Sequence, residues 1–158
     1  PYTTLFRSGD FLSYAFHWDL RYERWNLQLQ AIRQNYNPKH PAGVSDDRIR
    51  LGAFATSYEV ASKGTALVAN VAYNLPVPFE FLDSVTAYND FSAFFKDVDA
   101  FDDSYINTTG FAIGSGPIFM YLAFIQSWNM VFFDGGSFAG GGNDEWNLRA
   151  NLNIGYYW

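Results

Sequence analysis

Ser13, His17 and Asp19 carry the hydroxyl, imidazole and carboxylate of an esterase-like set. Such chemistry needs the nucleophile within hydrogen-bond reach of the base, with an oxyanion site nearby. Ser13 and His17 are four residues apart in one extended run, about 13 Å at strand spacing, so they cannot form that pair. A partner from another strand would have to complete the set. The expectation is a histidine bonded to neighbours or water, and no enzyme.

The other chemistry-bearing stretches are weaker. Asp97, Asp99, Asp102 and Asp103 cluster oxygen ligands that a hard cation accepts. They lack the glycine, the third spaced carboxylate and the terminal glutamate of an EF-hand loop, which leaves a solvated acidic loop as the expectation. The run Gly135 to Gly142 has no following lysine and precedes a strand, so it reads as a flexible surface loop rather than a phosphate cradle. Asn107-Thr108-Thr109 matches a glycosylation sequon and is read as chance. No metal site and no cofactor is expected.

Positioning falls to strands. From Trp146 to Trp158 apolar and polar residues alternate without interruption, with Trp146, Leu148, Ala150, Leu152, Ile154, Tyr156 and Trp158 on one side. A period of two separates these from Asn147, Arg149, Asn151 and Asn153 across a β-strand, whereas a helix would smear both sets around its axis. At roughly 3.3 Å per residue, and tilted by ~40°, the segment stands about 30 Å tall, close to a hydrocarbon core. Aromatics at both ends of an apolar band mark a strand of an outer-membrane barrel.

The closing run Asn147-Leu148-Arg149-Ala150-Asn151-Leu152-Asn153-Ile154-Gly155-Tyr156-Tyr157-Trp158 resembles the final strand of bacterial outer-membrane porins. With Ser84 to Ser92 and Thr109 to Pro117, it is similar to the C-terminal part of the phosphate-selective porin O/P group. The resemblance implies an antiparallel transmembrane β-barrel, of sixteen strands in all, in the bacterial outer membrane, with a homotrimer as its assembly. It also implies that Tyr156 and Trp158 form the signal read by the barrel assembly machinery. A phosphate channel of that group is lined by lysines. Here only Lys39, Lys63 and Lys96 occur, all at loop or turn positions, so phosphate is not the expected solute.

The upstream chain reads as a meander, for a total of about eight strands. Tyr14, Phe16, Trp18, Leu20 and Tyr22 alternate against His17, Asp19 and Arg21, and after a turn near Arg24 a second strand alternates Trp25, Leu27 and Leu29 against Asn26, Gln28 and Gln30. One strand is expected over Arg48 to Ala61, with later ones near residues 67–75, 84–92, 105–113 and 118–126. On this count long loops and short turns do not sort to opposite ends, as a barrel requires. Ser104 to Phe133 carries no charge and is long enough for a membrane helix, but Gly110, Gly114, Gly116 and Pro117 favour a hairpin. Residues 1–8 match what a sequencing-library adapter encodes in one reading frame, so the native portion is expected over 9–158, as the C-terminal part of a larger barrel, a metagenomic fragment.

Composition fits. One residue in five is aromatic and cysteine is absent, which removes disulfides and thiolate metal sites. The formal charge of −6 disfavours nucleic acid, which needs a basic footprint. His17, Asp19, Arg21, Gln28, Gln30, Asn147, Arg149 and Asn151 are the expected pore-lining set, giving small solutes or ions, anions among them, a watery route past lipid. The function expected is a passive porin. Two alternatives stand beside it: a secreted carbohydrate-binding β-sandwich, and an outer-membrane barrel enzyme hydrolysing lipid through His17.

Overall fold

The computed structural model describes residues 8–53, 56–133, 135–142 and 144–158. The expected adapter stretch, Ser8 excepted, lies outside them. Nine strands form: β1 (Ser8–Tyr22), β2 (Trp25–Lys39), β3 (Arg48–Ala53), β4 (Thr56–Ala61), β5 (Lys63–Asn74), β6 (Ser84–Lys96), β7 (Ser104–Ser115), β8 (Ile118–Trp128) and β9 (Trp146–Tyr156). Seven of them make one antiparallel sheet in the order β1-β2-β5-β6-β7-β8-β9, and β3 pairs only with β4. The sheet is open. No ladder joins β1 to β9 among the described residues.

This corrects the strand count. The run Arg48 to Ala61, expected as one strand of the meander, is a separate hairpin, and β5 pairs directly with β2. Alternation tells which side chains share a face, but not which neighbour a strand pairs with. Removing the hairpin from the meander also sorts the connections. Residues 23–24, 75–83 and 116–117 lie at one end of the sheet, and residues 40–62, 97–103 and 129–145 at the other. The first will be called the turn end, the second the loop end.

Both tight turns use a positive φ at their first central residue, Glu23 at 52° and Gly116 at 52°. That is the geometry that suits the twist of a two-residue hairpin. The charge-free stretch Ser104 to Phe133 forms the β7–β8 hairpin around Gly116-Pro117, not a helix.

Side chains on the outer face belong mainly to the apolar rows, with Asn89, Asn107, Thr109 and Gln126 as a polar group at mid-sheet. Phe16, Leu29, Leu67, Phe91, Phe111, Phe124 and Leu152 all project there and are exposed. Leu148 (66%), Leu152 (59%) and Ile154 (64%) meet no second layer. Aromatic rings border this band. Trp128 and Trp146 lie 5.7 Å apart near the loop end, while Trp25 and Tyr73 (4.5 Å) and Tyr156 and Trp158 (6.3 Å) lie near the turn end.

The one buried cluster, among the described residues, is at the loop end of the inner face. Ala61, Phe101 and Ala139 form it, with Phe94 and Val98 packed against them. The β3–β4 hairpin joins it through the Ala61 amide, which donates to the Phe138 carbonyl at 2.8 Å. Lys96, on the inner face of β6, donates from Nζ to the carbonyls of Asp102 and of Ser137 (2.7 Å to the latter). Three connections are thereby knitted into a cap.

The cap corrects two expectations. The acidic loop is not simply solvated: Asp103 accepts the Lys96 amide (2.9 Å) and Asp102 accepts the Gly142 amide (3.1 Å). Nor is the glycine run free of structure, since Ala139 is buried and Phe138 bridges Val60. Glycine is needed there for close approach, because a Cβ on Gly136 would lie 2.4 Å from the Asn129 backbone.

Outside the cap, Arg33 donates from Nη1 to Asp97 Oδ1 at 2.8 Å. That hydrogen bond holds the Asp97 carboxyl below its ordinary range. Stability from this pair is therefore present above the unfolded value, about 3.9, and lost as pH falls through the lower folded one. Asp97 is a third exposed, so less than about 1 kcal/mol is involved. Melting is expected to weaken below about pH 4, and Asp97→Asn to remove that component.

Candidate functional site

The register assembles the inner face in three consecutive rows that cross the whole sheet. One runs His17, Gln30, Val68, Ser92, Ile106, Ser127, Asn147. The next runs Asp19, Gln28, Asn70, Asp90, Thr108, Ile125, Arg149. The third runs Arg21, Asn26, Ala72, Tyr88, Gly110, Ala123, Asn151. All eight residues expected to share the polar face fall in these rows. They occupy β1, β2 and β9, while the middle strands mix polar and apolar groups.

Ser13 and His17 are not brought together. The Ser13 hydroxyl donates to the Arg33 carbonyl at 3.1 Å, and His17 faces Gln30 across the β1–β2 ladder. Asp19 is committed elsewhere: it accepts Asn26 Nδ2 at 2.8 Å and Arg21 Nη2 at 3.3 Å. Arg149 turns toward the loop end, donating to the Phe133 carbonyl with its guanidinium 5.1 Å from the Phe133 ring centre. Tyr156 and Trp158, the expected assembly signal, stack on each other at the turn end, with Trp158 fully exposed beyond β9.

The inner faces of β5 to β9 converge on a groove of ≈ 650 Å³. Asn70, Tyr88, Asp90, Tyr121, Asn151 and Asn153 are among its walls. Asn70 donates to Asp90 across the β5–β6 ladder, and Thr86 donates to Asn74 at 2.7 Å. Tyr88 lies over its cross-strand partner Gly110, where an added Cβ would come within 2.8 Å of the phenol oxygen. An aromatic ring laid over a cross-strand glycine shields backbone that would otherwise be bare.

Tyr88, Asp90 and Tyr121 were not expected in the polar set. On β6 the aromatic Tyr88 points inward while the amide Asn89 points outward, where it donates to Asn107 at 2.9 Å and Thr109 at 2.7 Å. Polarity is thus inverted at the middle of that strand. The signal that could have placed it was the phase inherited from β5, where Asn70 and Asn74 are clearly inward. Comparison with family models, curated proteins and solved structures finds no match to this chain.

Proposed function

We propose that the chain forms part of the wall of a bacterial outer-membrane porin, through which small solutes diffuse without chemical change. One observation carries this reading: the outer face of the seven sheet strands is a mainly apolar, exposed band, interrupted at mid-sheet by Asn89, Asn107, Thr109 and Gln126, with nothing among the described residues packed on it. In water a patch of that extent is unfavourable, whereas acyl chains match it. On β9 the band from Trp146 to Tyr156 is about 33 Å long, or ~25 Å tall at a ~40° tilt, the height of a barrel's apolar belt. The opposite face offers hydrogen-bonding groups to water.

Closure is consistent with further strands. In an antiparallel order of seven, β1 and β9 run in the same direction. An all-antiparallel wall therefore needs an odd number of additional strands between them. A sixteen-stranded barrel would take nine, sixteen less these seven.

Tryptophan reports on the proposal directly, because Trp18, Trp25, Trp128 and Trp146 all project from the outer face. Refolded into vesicles of brominated phosphatidylcholine, the protein is expected to lose most of its tryptophan fluorescence, with aqueous acrylamide quenching little of it. A monomer that stays in detergent-free buffer, with acrylamide quenching and no bromolipid quenching, sinks the membrane reading.

A further inference from the structure

We infer that the inner-face groove is a binding site for neutral sugars, with a pyranose ring seated on Tyr121, its hydroxyls held by Asn151 and Asn153, and those of a neighbouring ring of the same oligosaccharide held by Asp90. This rests on the porin reading only for the route by which a sugar arrives. A groove of ≈ 650 Å³ is within the range of pockets that take small molecules, roughly 300–1,000 Å³.

Charge argues against an anion. Asp90 is the one carboxylate in the groove wall, which holds no lysine, arginine or histidine. The cations of the inner face are turned away from it: Arg21 to Asp19, Arg149 to the Phe133 carbonyl and ring, Lys96 to the carbonyls of Asp102 and Ser137. A phosphate entering here would lose hydration beside a carboxylate, with no cation to replace it.

A polyol meets the opposite situation. Asn151 and Asn153 stand exposed on β9, and each carboxamide offers two donors and an acceptor, the complement of neighbouring hydroxyls. Asp90 takes a hydrogen bond from Asn70 on one oxygen, leaving the other to accept from a ligand. Tyr121 is 41% exposed and makes no stacked contact among the described residues, since Tyr88 and Phe119 both meet it at 87°. Its orientation is held by those neighbours while about two-fifths of the residue stays exposed. The C–H groups on the apolar face of a pyranose are the positive partners that a ring face attracts.

The test is saturation-transfer NMR on the protein refolded in detergent micelles, with maltotriose, cellotriose and xylotriose as probes and inorganic phosphate as competitor. At least one trisaccharide is expected to bind in the millimolar range and to be unaffected by phosphate. Tyr121→Ala is expected to weaken it at least about tenfold and Asn151→Ala several-fold, while Tyr121→Phe retains the ring and most of the affinity. Trp146→Ala, on the outer face, is expected to change nothing. No binding by any of the three sugars to folded protein, displacement by phosphate, or binding that survives Tyr121→Ala overturns the assignment. Bromolipid quenching judges the membrane reading separately, so loss of one leaves the other standing.

Discussion

Leu152→Arg is expected to destabilise the protein in a bilayer by about 2–4 kcal/mol, the range for a cation on the lipid face near midplane. Asn151→Arg, one residue earlier, is expected to change stability by less than about 1 kcal/mol, as surface substitutions usually do. The two positions are adjacent in sequence and equally extended in backbone, and they differ in the face they present. Leu152 lies opposite Leu122 on the outer side, 59% exposed, and Asn151 lies opposite Ala123 on the inner side. If both faces met water, both arginines would be tolerated. Urea titration of vesicle-refolded protein, followed by tryptophan fluorescence, measures each difference. Equal effects at the two sites would remove the distinction between a lipid side and a water side on which the transport proposal depends.

The alternation of an apolar and a polar side along the strands was the most legible property of the sequence. Period-two alternation in Tyr14 to Leu29 predicts the β1–β2 register, including the turn between Tyr22 and Trp25, because one face of each strand is wholly apolar. The same holds for β9. Where both faces are mixed, the pattern carries less. On β6, Tyr88 inward and Asn89 outward invert the rule, so the aromatic part of the groove stayed hidden.

The cap was not legible, for a different reason. Its contacts join residues far apart in the chain, such as Lys96 with Ser137 and Ala61 with Phe138. Local composition there suggests mobility: aspartates in one loop, glycines in another. What the residue types conceal is complementarity, since carboxylates that find backbone amides, and glycines that admit a neighbour's backbone, give an ordered loop from a sequence that reads as loose.

Asn129 is where that order concentrates. It is buried, with φ at 49°, a left-handed conformation that asparagine tolerates better than most residues. Its Nδ2 donates to the Asp102 carbonyl at 2.7 Å, its Oδ1 accepts the Ser137 amide at 2.9 Å, and its own carbonyl accepts the Ser104 hydroxyl at 2.7 Å. Asn129→Ala deletes the first two bonds, leaving the half-buried Ser137 amide without its acceptor at about 1–3 kcal/mol while the Asp102 carbonyl keeps Lys96 as a partner, and adds a backbone penalty of about 1–2 kcal/mol. Asn129→Gly deletes the same bonds and removes the backbone penalty. Because no ladder of the seven-stranded sheet passes through the described residues of 129–145, the loss is expected to open the cap and leave the sheet intact. Hydrogen exchange at the Ser137 and Gly142 amides is expected to accelerate at least tenfold in both variants, with exchange in β7 and β8 unchanged. Protection retained in Asn129→Gly would assign the effect to φ and not to the bonds. The cap lies over the loop end of the inner face, and Arg149 reaches into it through Phe133. An opened cap therefore releases the one inward arginine of β9. Under the proposed function, a wall carrying either variant is expected to pass more current, and more anion current, than the parent.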